Sequence, residues 1–152
     1  MDAIQTIAVA QDRQFRAARD EVNRLLQAKG FEVKDRRGST SWFPGQPQPL
    51  AVRRKVAFKL ARLAGAELLF AVRKTLADSI PALQRVAWTQ RECWFKPRRA
   101  AGTFVGFRVD AGDLATLRRR AEKILEAVGA APPPGRDLAC EAQLDRDLDA
   151  IR

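Results

Sequence analysis

Two short segments, Arg36-Arg37-Gly38 and Lys96-Pro97-Arg98-Arg99, carry the clearest chemistry in this sequence. Glycine and proline mark both as turns. A guanidinium fork projecting from a turn can bond two phosphate oxygens at once, which a lysine ammonium does less well. A hairpin tip is also narrow enough to enter a groove of a duplex. Between the two turns stand Lys55, Lys59 and Arg62, spaced i, i+4, i+7 as along one flank of a helix. Trp42-Phe43 and Trp94-Phe95 each put one ring on either face of a strand, which makes Trp42 and Trp94 candidate stacking surfaces for bases. The expected site is therefore nucleic-acid-binding. Arg36, Arg37, Lys55, Lys59, Arg62, Arg98 and Arg99 would meet phosphates, and Trp42 and Trp94 would stack.

Glu32-Val33-Lys34 is the strongest catalytic pattern. On a strand, a Glu-x-Lys pair can place a carboxylate on Mg²⁺ and an ammonium beside the attacking water, as in metal-dependent nucleases of the restriction-endonuclease type. Such a site needs a second acid from a neighbouring upstream strand, whereas Asp12, Asp20 and Glu21 fall in a helical pattern. Alternating charge on an exposed strand explains the same residues more simply. The chain has no histidine and no tyrosine, which removes the commonest general base and tyrosine-nucleophile chemistry. Its two cysteines, Cys93 and Cys140, cannot complete a tetrahedral zinc shell. The expectation is a non-catalytic protein with no metal and no cofactor. Two widely separated thiols fit a reducing cytoplasm.

The charge is concentrated. Of a formal net charge of +10 over 152 residues, all the excess lies in residues 31–100, which hold 15 Lys and Arg against 5 Asp and Glu. A basic block with interleaved aromatic rings is the footprint of a surface that meets DNA or RNA. The alternative is a protein–protein module, a phage- or plasmid-type inhibitor or an assembly subunit, binding an acidic partner surface. A homodimer is compatible with either. No apolar run approaches the roughly 20 residues that span a bilayer, so no membrane partner is expected. Arg118-Arg119-Arg120 lies beside Glu122, Lys123 and Glu126 and reads as a self-neutralising helix face.

These residues need elements to position them. Phe15, Ala18, Val22 and Leu25 predict a helix over 12–29 that stops at Gly30, and Ile4–Ala10 either extends it or holds a strand at Ile7–Val9. Phe31–Phe43 predicts a hairpin. Pro44–Pro49 forms a stiff connector, and a helix follows with Val52, Val56, Leu60 and Leu63 as its seam. Leu68–Val72 is helix or strand. Residues 85–95 and 103–109 predict a second hairpin, with Val86 and Trp88 alternating in its first strand. Asp113 caps a helix with Leu114, Leu117, Ala121, Ile124 and Val128 on one face. The fold class is α+β, a single domain over residues 1–130 with amphipathic helices packed on two hairpins. If both ambiguous runs are strands, residues 4–74 read βαββαβ, an order similar to the ferredoxin-like one. Residues 131–152 comprise a Pro-rich linker and an acidic tail with Leu144, Leu148 and Ile151 on one helical face. That tail either folds back over the basic middle, competing with polyanion, or docks on a partner or a second copy.

Overall fold

Residues 3–95 and 102–130 are described by the structure, a computed structural model. Six extended segments pair into a single antiparallel sheet: β1 (Phe31–Arg36), β2 (Ser39–Pro44), β3 (Phe58–Arg62), β4 (Glu67–Arg73), β5 (Gln90–Trp94) and β6 (Thr103–Asp110). Their spatial order is β1-β2-β3-β4-β6-β5. The helices α1 (Ala3–Gln27), α2 (Leu50–Arg53), α3 (Lys74–Ser79), α4 (Pro81–Gln84) and α5 (Leu114–Ala130) complete one α+β domain. No helix among the described residues is long and apolar enough to cross a membrane.

The helix expected upstream is present: Ile4–Ala10 continues α1. The ferredoxin-like order is thereby excluded, since it requires a strand at Ile7–Val9. The run Leu68–Val72 forms the body of β4, and the two expected hairpins become parts of one sheet through β3 and β4. The helix expected from Pro49 onward is corrected. Only α2 is helical there, and Phe58–Arg62 is a central strand paired on both sides, with β2 and β4. Phe58 and Leu60 alternate with Lys59 and Ala61 at period two, so the same apolar residues fit a strand as well as a helical seam. Two ladders of backbone hydrogen bonds decide for the strand. Gly65, with φ of 74°, makes the turn between β3 and β4. Val86 and Trp88 precede β5 rather than belonging to it; the Trp88 indole donates to the Leu83 carbonyl at 3.1 Å.

The core lies between the sheet and the pair α1 and α5. Phe15, Ala18, Val22 and Leu26 of α1 are buried with Leu117, Ala121, Ile124, Leu125 and Val128 of α5. Ring contacts cross the sheet on this side, from Phe31 to Phe58 at 5.1 Å, Phe58 to Phe70 at 5.9 Å and Phe70 to Phe107 at 5.4 Å. Asp113 caps α5 as expected, accepting from the Thr116 backbone N–H at 3.1 Å and the Thr116 hydroxyl at 2.7 Å. Arg118 departs from expectation. It donates to Glu21 of α1 at 2.6 Å instead of pairing along its own helix, and it ties the two helices together at their exposed edge. The opposite face of the sheet carries a smaller cluster of Leu69, Ala71 and Phe104, flanked by Val56, Leu63, Cys93 and Phe95.

Candidate nucleic-acid interface

The β1–β2 turn consists of two residues, Arg37 and Gly38, because Arg36 pairs directly with Ser39. Gly38 has φ of 75°, a region closed to most side chains by Cβ crowding. The Gly38 carbonyl accepts from the Arg62 backbone N–H at 3.0 Å, so the end of β3 is tied to the turn. Arg62 then projects on the helix side, its guanidinium 5.7 Å from the Phe15 ring centroid. Its Nη1 lies 3.4 Å from Asp12, which also holds Arg16 at 3.0 Å.

One turn along α1, Arg19 grips Asp35 of β1 with two nitrogens, at 3.0 and 2.7 Å. The Thr40 hydroxyl donates to the same carboxylate at 2.9 Å, and Arg19 also reaches Asp20 at 3.1 Å. Together these residues enclose a cleft of about 510 Å³ between α1 and the hairpin turn, lined by Arg16, Arg19, Arg36, Arg37 and Arg62 and by Asp12, Asp20 and Asp35. The carboxylates engage Arg16, Arg19 and Arg62. No carboxylate among the described residues pairs with Arg36 or Arg37, and both are exposed. The result is a concave, guanidinium-rich surface with the uncommitted Arg37 fork at its turn, while Arg36 borders it from a strand position whose side chain faces the other side of the sheet.

Asp35 is the brace of this arrangement. Arg19 holds its carboxyl below the usual value of 3.8, with Thr40 adding to the effect against the opposing influence of burial. A carboxylate depressed in the folded state stabilises fully above its ordinary range, and that stabilisation is lost as pH falls through the folded value. Asp35→Asn should therefore lower the urea midpoint near neutral pH, and the gap to wild type should close as the pH falls below the usual value of 3.8. Because the pair is largely solvated, the neutral-pH difference should be under about 1 kcal/mol. A gap that persists unchanged in acid would show that Asp35 does not act through this pair.

Of the residues read from the sequence, Arg37 and Arg62 converge at the cleft, and Arg36 borders it from a strand position whose side chain faces the opposite side of the sheet. Lys55 and Lys59 do not, because no helix joins them to Arg62. Lys55 is exposed beyond α2, beside a separate apolar pocket of Val52, Val56 and Leu76. Lys59 is buried on the other face of the sheet. Trp42 is corrected: it is wholly buried against the helices, its indole donating to Asn23 at 3.1 Å, and cannot stack on a base. Its pairing with Val33, which shares the core side, was the available signal. Phe43, on the opposite face, is the partly exposed ring of that pair. Trp94 pairs with Thr103 in the β5–β6 ladder, and its side chain lies outside the description. Arg98 and Arg99 also lie outside the described residues.

Sequence reading missed Arg16 and Arg19. They belong to a stretch with balanced charge, and only the packing of α1 against the hairpin turns them toward the Arg36-Arg37 tip. Glu32 and Lys34 are exposed on β1, facing away from the α1 side where Asp12 and Asp20 stand. Among the described residues, no group of three or more His, Cys, Asp or Glu side chains is arranged to hold a metal ion. No family model, curated protein or solved structure matches this chain.

Proposed function

We propose that this chain binds nucleic acid at the cleft between α1 and the β1–β2 turn, through phosphates and without catalysing a reaction. One observation carries the reading: Arg37, without a carboxylate partner among the described residues, stands on a two-residue turn and shares a cleft with Arg16, Arg19 and Arg62. Asp12 and Asp35 hold the inner arginines in fixed directions, so less side-chain entropy is lost when a phosphate arrives. A guanidinium engaged by one carboxylate retains further N–H donors for phosphate oxygens. The basic flank on a second helix, expected from Lys55, Lys59 and Arg62, is replaced in this account by α1.

The test is fluorescence anisotropy with labelled duplex DNA, single-stranded DNA and RNA across a salt series. Three to five neutralised phosphates on a duplex give a slope of log affinity against log salt of roughly −3 to −4.5. Flat binding curves with all three ligands would contradict the proposal and favour an acidic protein partner for the same cations.

A further inference from the structure

The sheet face turned away from α1 and α5 holds a buried lysine that has no counter-ion among the described residues. Lys59 is only 8% exposed, and its ammonium lies 4.7 Å from the Phe95 ring centroid. Among the described residues, no carboxylate or hydrogen-bond acceptor pairs with it. Burial, and then the neighbouring Arg36 charge, push its pKa down. A buried cation in that position calls for an anion.

Strand register shows what surrounds it. Lys34, Ser41, Lys59, Ala71 and Gly106 form one row across this face, and Arg36, Ser39, Ala61, Leu69 and Arg108 form the next. The middle of both rows is mostly small side chains, and exposed Lys34, Arg36 and Arg108 stand at the margins. Acids also stand at the margins of the face: Glu32 at one edge, and the cross-strand pair Glu67 and Asp110, of which Glu67 lies 3.9 Å from Arg108. Partly buried Val56, Leu63 and Phe95 supply apolar surface alongside.

The chain contains a segment of matching chemistry. Residues 137–149 carry Asp137, Glu141, Asp145, Asp147 and Asp149 against the single cation Arg146. Glu141, Asp145 and Asp149 recur every four residues, each of the last two directly following Leu144 or Leu148. Its point of departure suits the face as well. The end of α5 borders a 240 Å³ cavity with Phe31 and Pro44–Gln48, at the end of the sheet where β2 finishes. Ser41, the cross-strand partner of Lys59, is three residues from Pro44, or about 10 Å along the strand. Residues 131–136 span up to about 20 Å when extended, enough to round that end.

We propose that the acidic segment 137–149 docks on this face, with its carboxylates meeting Lys59, Arg36 and Arg108 and with Leu144 and Leu148 against Val56, Leu63 and Phe95. Arg36 also borders the cleft, so the docked segment brings negative charge next to it and opposes phosphate there. That opposition rests on the nucleic-acid reading; the docking does not.

Carbodiimide coupling of the full chain, mixed with an equal amount of ¹⁵N-labelled full chain, tests the docking directly, since it joins only an amine and a carboxyl in contact. The expected product links Lys59 to Glu141, Asp145, Asp147 or Asp149 within one chain, and it falls several-fold in 1 M NaCl. Tail carboxyls coupled instead to Lys29, Lys34 or Lys123 with no Lys59 link would overturn the proposal. So would Lys59 links that join labelled to unlabelled chains, which would place a second copy on the face. A protein that binds no oligonucleotide still forms the intrachain link, so the two readings fail separately.

Discussion

Replacing Arg37 and Arg62 together by glutamine is expected to lower oligonucleotide affinity by roughly 10 to 10²-fold at about 0.1 M salt. The magnitude follows from counterion release: each neutralised phosphate contributes about 0.9 to the salt exponent, or nearly tenfold per decade of salt. The slope of log affinity against log salt should become shallower by about 2 at the same time. Both changes should apply across sequences, because phosphate contacts position a protein on nucleic acid without reading bases. The fold should survive. Arg37 has no carboxylate partner among the described residues, and the contact of Arg62 with Asp12, at 3.4 Å, is solvent-exposed enough to be worth little. Anisotropy titrations beside a circular-dichroism spectrum measure both. Unchanged affinity with an unchanged slope would remove the cleft from the account.

Trp42→Ala should have the largest effect on stability, a loss of about 3–5 kcal/mol. The ring is completely buried among the largest core side chains, and the alanine variant would leave both a cavity and an unpaired Asn23 carbonyl. Trp42→Phe keeps most of the volume and loses the indole donor, so it should cost about 1–2 kcal/mol. Urea denaturation gives both values. If Trp42→Ala left the midpoint near wild type while abolishing oligonucleotide binding, the ring would belong to a binding surface and its placement in the core would be wrong.

Local signals carried the parts of the fold that were legible in the sequence. Periodicity at Phe15, Ala18 and Val22, the glycine after α1, the Arg37-Gly38 turn and the Asp113 cap each act within a few residues, and each element formed as read. The central strand was not legible from such signals. Val52, Val56, Leu60 and Leu63 satisfy a helical seam, and only pairing with β2 and β4 selects extended backbone for Phe58–Arg62. That single change separated Lys55, Lys59 and Arg62, which a helix would have aligned. The candidate site was half legible for a related reason. Arg36 and Arg37 announce themselves through turn chemistry, whereas Arg19 enters through a contact with Asp35 16 residues away. Trp42 was misplaced because a buried and an exposed indole look alike until cross-strand register assigns a face.

The most direct test of the central claim is an amide chemical-shift titration of the ¹⁵N-labelled full chain with a short oligonucleotide at low salt. The shifts are expected to concentrate at Arg16, Arg19, Arg36, Arg37, Gly38 and Arg62 and to reverse on adding salt. Shifts absent from these residues, or confined to the outer surface of α5, would contradict it.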